Sequence, residues 1–239
     1  GGGDGARLYG LPKDLGPFTL VYNKTLLDQK IEEKGLDSEE IYSTYLNPSN
    51  PMTWEQFRTL LKGLVTDENG DGTPDDNVYG ISHYEVETAV YSNNANFFNE
   101  DASEQRITDP NFIEAIQFIA DLTLEDHVMV PAALQSEMDG FSRFLNSGCI
   151  FSFMGPWDCA QFWEFDIAFT SNILPVPYNG DNPDAVSTAW VGSMGYCISN
   201  KATSAETAAA IRLAKYLCLN EDAQRKFYEL GQQVPNIVS

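Results

Sequence analysis

Short apolar runs and 3.6-residue repeats alternate along the chain. Residues 18–22 (Phe-Thr-Leu-Val-Tyr) predict a strand, and residues 25–34 a helix that Gly35 stops. Asp37 opens a second short helix, and Asn47-Pro48-Ser49-Asn50-Pro51 is a loop. Thr53 and Gln56 have capping-box spacing, with Trp54, Phe57, Leu60, Leu61 and Leu64 at helical spacing behind them. Residues 78–82 read as a strand and 86–98 as a helix, although Asn93, Asn94 and Asn96 suit that helix poorly. Asp109-Pro110 caps a helix whose apolar side reads as Phe112, Ile113, Ile116, Ile119, Ala120 and Thr123. A helix over 137–146 stops at Gly148, before a strand at 149–154. A helix at 157–164, a strand at 172–176, a turn at 179–183 and a strand at 195–199 follow. Thr203 and Glu206 form a second capping box, opening a helix to 219, and a last helix covers 221–230. Alternating helices and short strands predict an α/β fold, and no internal repeat interrupts it.

Composition narrows the partners. Fourteen basic against 35 acidic residues give a formal charge of −21 over 239 residues. Such a field repels phosphate backbones, so nucleic acid is excluded as a partner, while cations are permitted. The four cysteines, Cys149, Cys159, Cys197 and Cys218, show neither CxxC nor metal spacing. Buried free thiols are the default, with a 149–159 or 197–218 disulfide as the alternative. No apolar run approaches the ~20 residues of a membrane span. Residues 1–7 read as a linker or cloning remnant, and the chain as an excised segment.

Two chemistries are suggested. Phe151 to Met154 end in Gly155-Pro156-Trp157-Asp158, which places Trp157 on a strand-to-helix turn at the end of a sheet. A flat indole there is a candidate stacking platform; the alternative is a core or rim tryptophan. Trp190, flanked by small residues including Gly192 and Ser193, is the second candidate, and Trp163, Tyr84, Tyr91 and Tyr178 also lie near strand ends. The loop Asp67, Asn69, Asp71, Gly72, Thr73, Asp75 matches the front of an EF-hand calcium loop. Its twelfth position is Val78 rather than Glu, so Asp75 or Asp76 would have to complete the shell. Calcium is thus expected as a structural staple, with a solvated acidic turn as the alternative. Catalysis finds little support: His83 and His127 lie in no nucleophile signature, and a Glu85/Glu87 pair is a common surface feature.

Several stretches together resemble the extracellular solute-binding proteins of ABC importers, in particular the sugar-binding, maltose-binding-protein-like group. Tyr9-Gly10-Leu11-Pro12 running to Tyr22-Asn23-Lys24 resembles that family's YGLP…YNK entry, and Pro51-Met52-Thr53-Trp54-Glu55-Gln56-Phe57 its TWEEF. The 67–76 loop with Tyr79-Gly80, Gly155-Pro156-Trp157, Trp190-Val191-Gly192-Ser193 and Gly231-Gln232-Gln233-Val234-Pro235 follow in the family's order.

The resemblance implies a type II periplasmic-binding-protein fold with a mixed sheet flanked by helices, whose two lobes close over a sugar or oligosaccharide and deliver it to an ABC permease. It implies that Trp157 stacks on the sugar, that Trp190, Gly192 and Ser193 lie at the cleft, and that Tyr84, Glu85 and Glu87 form a cleft loop. Asp158 would join them. It further implies an extracellular or periplasmic, lipoprotein-tethered location in the full-length form. Residues 8–192 would be the second lobe and 193–239 a crossover that packs on a first lobe, most of which this chain lacks. An apolar face left open there would permit self-association. A carbohydrate-active enzyme, a sensor domain on the same scaffold and a calcium-dependent interaction module are the alternatives.

Overall fold

In the computed structural model, which describes residues 10–164, 167–192 and 194–235, the apolar runs become strands and the repeats become helices. Strands β1 (Leu11–Pro12), β2 (Gly16–Pro17) and β3 (Thr19–Asn23) lead into α1 (Lys24–Lys34) and α2 (Ser38–Glu40), which continues as a π-helical turn over Ile41–Tyr45. Then come α3 (Trp54–Leu64), β4 (Tyr79–Ile81), α4 (Val86–Tyr91), α5 (Pro110–Leu124), α6 (Ala132–Gln135), α7 (Gly140–Leu145) and β5 (Cys149–Met154). A 3₁₀ turn at Pro156–Asp158 runs into α8 (Cys159–Glu164) and β6 (Ser171–Leu174). The short β7 (Val191–Gly192) and β8 (Gly195–Tyr196) precede α9 (Ser204–Leu219) and α10 (Glu221–Glu229).

The chain divides into two compact units. The larger takes residues 19–154 and 167–190 and is built on a four-stranded mixed sheet in the order β4-β5-β3-β6. There β4 runs parallel to β5, while β3 is antiparallel to both its neighbours. All of β5 is buried, so its unalternating apolar run reads as a strand covered on both faces. Helix α3 buries Trp54, Phe57, Leu60, Leu61 and Leu64, and the Phe57 ring meets Phe151 edge-on at 5.5 Å. The Thr53–Gln56 capping box closes its first turn. The smaller unit takes residues 1–18, 155–166 and 191–239. Its described strands form two antiparallel ribbons, β1–β8 and β2–β7, accompanied by α9 and α10.

Several expectations need correction. The helix expected over 86–98 ends at Tyr91, because the Asn93 side chain is fully buried and donates to the Asn111 carbonyl at 2.7 Å. Asn94 then takes a left-handed conformation, and side-chain bonding replaces the next helical turn. On α5 the buried stripe is Phe112, Ala115, Phe118 and Leu122, whereas Ile113 and Ile116 are exposed. Both stripes have helical spacing, and the buried one sets Phe118 against Trp54, where the two rings stack at 4.3 Å. Asp109 sits at the N-cap of α5 without a side-chain cap bond. The strand expected at 195–199 pairs over two residues only, and α6 was not expected at all.

Candidate functional site

In the smaller unit the site is built around Trp157. Strand β5 ends at Met154, and Pro156 supplies the first position of the 3₁₀ turn that carries the indole. The turn is closed from both sides: the Asp158 amide donates to the Gly155 carbonyl at 3.1 Å, and the Asp158 carboxylate accepts the Gly155 amide at 2.9 Å. Its other carboxylate oxygen accepts from the Gln161 side-chain amide at 3.2 Å, so Asp158 acts first as a turn-maker. Trp157 is 40% exposed and meets the Phe18 ring edge-to-face at 5.2 Å. Gly16 is paired with Gly192 across the β2–β7 ribbon, which brings Gly192 to the strand beside the indole. Ser193 and the Trp163 side chain lie outside what the structure describes.

In the larger unit Tyr84 belongs to the core rather than to a surface. It is buried among Phe57, Phe118 and Phe153, and its hydroxyl donates to the Pro177 carbonyl at 3.2 Å. Burial pushes that phenol far above its ordinary range. Glu85 stands at the N-cap of α4, and Glu87 lies in its first turn. A string of hydrogen bonds links Ser152, Ser82, His83 and Glu85 at 2.8, 2.9 and 3.0 Å. Serine, histidine and a carboxylate in a line suggest a hydrolytic triad, but Ser82 and Ser152 are both fully buried and present no hydroxyl to a substrate. Trp190 is half-buried, and its backbone amide reaches the Thr88 hydroxyl at 3.3 Å.

The acidic loop is held by its own backbone. Asp67 accepts from the amides of Gly70, Asp71 and Gly72, and from His127 Nδ1 at 2.9 Å. Desolvation opposes ionisation of Asp67, but the Gly72 and His127 bonds outweigh it and hold the carboxyl below its usual range. Asn69 and Asp71 each accept an amide two residues on, and Gly70 and Gly72 take the left-handed backbone that the turn requires. Asp75 accepts from the Glu68 amide, while Asp76 pairs with Lys30 and the Val78 amide. Among the described residues no group of three or more His, Cys, Asp or Glu is arranged to hold a metal ion.

A groove of about 670 Å³, announced by no sequence motif, lies on the larger unit between α3, α5 and residues 179–181. Glu55, Arg58 and Lys62 line one side, Glu114 and Asp121 the other. Buried amides stiffen its rim: Asn179 donates to Asn93 and to Glu114, and Asn182 donates to Asn93. Asn93, one of the residues that suited a helix poorly, was the available signal for that rim.

A family model described as bacterial extracellular solute-binding protein matches residues 1–238. The arabinooligosaccharide-binding protein of Halalkalibacterium halodurans is 24% identical over 227 residues, covering 93% of this chain and 46% of that protein. An ABC substrate-binding protein of Listeria monocytogenes, solved in complex with cycloalternan, superposes with a TM-score of 0.79 at 21% identity over 99% of this chain and 54% of its own. The maltose/maltodextrin-binding domain MalE of Bdellovibrio bacteriovorus, bound to maltotriose, gives 0.67 at 19% identity over 95% and 54%. The chain thus spans about half the length of the relatives it matches. No described helix is long and apolar enough to cross a membrane.

Proposed function

Because the chain belongs to the bacterial extracellular solute-binding protein family, we propose that it supplies part of the binding site for a sugar or oligosaccharide in an ABC importer. Its α/β architecture, a mixed sheet among helices, is the type II periplasmic-binding-protein fold. The observation that carries the proposal is the Trp157 indole, 40% exposed on a doubly hydrogen-bonded turn at the end of a buried strand. A flat apolar ring held at the surface matches the C–H face of a pyranose or furanose, while neighbouring polar groups take its hydroxyls. Residues 8–192 are proposed as the second, ligand-binding lobe, with Trp190, Gly192, Ser193, Glu85, Glu87 and Asp158 as further contacts. Residues 193–239 are proposed as a crossover that packs on a first lobe, with lobe closure delivering the solute to a membrane permease. The family's extracellular character supports a location outside the cytoplasm, and a lipid tether is proposed with it.

Titration with arabinan- and malto-oligosaccharides tests this reading by calorimetry and product analysis together. Binding should weaken about tenfold in Trp157→Ala, the loss of one aromatic stacking contact. Release of shorter sugars would instead support an enzyme, a reading that the buried Ser82 hydroxyl disfavours.

Calcium is proposed as a structural ligand of the loop formed by Asp67, Asn69, Asp71, Thr73, Asp75 and Asp76. The alternating oxygens and the two left-handed glycines support it. An ion would compete with the loop's internal hydrogen bonds, so its affinity should be modest. The melting temperature should fall on adding chelator, and an unchanged value would remove the proposal.

A further inference from the structure

Two glycines far apart in sequence meet the same indole. An ideal Cβ on Gly155 would lie 2.4, 2.5 and 2.6 Å from Cζ2, Cη2 and Cε2 of Trp157. Three adjacent ring atoms at nearly one distance place that position over the face of the benzo ring. An ideal Cβ on Gly16 would lie 2.6 Å from Cζ3 and 3.5 Å from Cε3, which places it beyond the ring's edge, close to its plane. One face of the indole therefore rests on the Gly155 backbone, its outer edge abuts Gly16, and Phe18 packs edge-to-face at 5.2 Å. Trp157 nevertheless remains 40% exposed. The turn that seats Gly155 is itself closed by the Asp158 carboxylate at 2.9 Å.

We infer that Gly16 and Gly155 are positioning residues of the binding site: their missing side chains form a slot that sets the height and attitude of the Trp157 platform. This rests on the reading of Trp157 as the sugar-stacking surface. A methyl at either position cannot coexist with the present indole, since carbon contacts below 3.0 Å are repulsive. At Gly155 the three nearest atoms all belong to Trp157, so the ring must swing away. At Gly16 the Gly192 carbonyl, at 2.9 Å, adds a clash with the paired strand. Gly155→Ala is therefore the cleaner variant and Gly16→Ala the supporting one.

The test begins without ligand on the whole chain. Near-ultraviolet circular dichroism and acrylamide quenching of Trp157 are isolated by subtracting the signal of Trp157→Phe. Gly155→Ala and Gly16→Ala should each alter that component and raise its quenching constant about twofold. Gly10→Ala, whose methyl would meet nothing nearer than 3.5 Å, should leave it unchanged. Trp157→Phe should restore the melting temperature lost in Gly155→Ala, which a merely structural glycine would not allow. An unchanged optical component in both variants, or no rescue, overturns the inference. With maltotriose or arabinotriose as titrant, Gly155→Ala should weaken binding about tenfold in the native background and less than about twofold in Trp157→Ala. Equal losses in both backgrounds overturn the inference. Affinity insensitive to Trp157→Ala overturns the platform reading alone, leaving the optical result to support the slot.

Discussion

Lys30 is a charged residue exposed by only 7%, and its ammonium is met by Asp76 and by Glu33. Burial opposes its charge, but the two carboxylates outweigh burial and raise its pKa. Asp76 answers in kind: desolvation works against ionisation, while the Lys30 and Val78 contacts lower its pKa from 3.8. The folded carboxyl therefore binds fewer protons than the unfolded one. Its stabilising contribution is complete above pH 3.8 and drains as pH falls through the lower folded value. Thermal melts from about pH 5 to about pH 2.5 should show a shallower acid limb for Asp76→Asn than for the native chain. Identical limbs would mean that the pair does not report on folding. The same residue shows why side-chain roles are hard to read locally. Asp76 stands in a calcium-type spacing, yet its partner Lys30 lies forty-six positions away on α1.

At the scale of elements, helix α3 shows what local signals decide. The Thr53 hydroxyl accepts the Gln56 amide at 3.2 Å, and the Gln56 side chain takes the Thr53 amide at 2.9 Å. Thr53→Ala should cost about 1 kcal/mol in urea unfolding, the usual value of an N-cap oxygen, with the slope unchanged. A loss below about 0.3 kcal/mol would show that tertiary packing alone holds that terminus. This cap was legible in four residues, as were β5, β3 and the second box at Thr203–Glu206, because each depends on neighbours in sequence. Helix α5 was only half legible. Its length followed from Pro110 and the apolar repeat, but its buried face depends on Trp54, which stacks on Phe118 at 4.3 Å and 5°. The site divides the same way. The Trp157 turn was visible in Gly155-Pro156-Trp157, whereas Gly16 and Phe18, which seat the indole, are distant in sequence and carry no motif. Tyr84 read as a rim aromatic because period and spacing do not reveal that three phenylalanines surround it.

At the scale of the molecule, apolar surface and charge are unevenly distributed. Helix α9 buries Ala214 and Cys218, yet Ile211, Leu213, Tyr216 and Leu219 are exposed by 40 to 59%, and Tyr228 and Leu230 after it by 63% and 50%. A helix apolar on nearly all sides is normally covered on nearly all sides. The surrounding stretch is also nearly neutral: Lys201, Arg212, Lys215, Arg225 and Lys226 stand against Glu206, Glu221, Asp222 and Glu229 in a chain of net charge −21. Net repulsion between two copies is therefore weakest where their apolar surface is greatest. Sedimentation velocity should show concentration-dependent dimers of this chain. Salt should favour them, because screening removes long-range repulsion between acidic bodies over about 10 Å at 0.1 M while leaving apolar contact intact. Leu213→Glu should abolish the dimer without moving the melting temperature by more than about 2 °C, since the side chain is 59% exposed. A monomer at every concentration and salt would show that the face is solvated in this chain, whereas a dimer that salt dissolves would place the contact on charge rather than on α9.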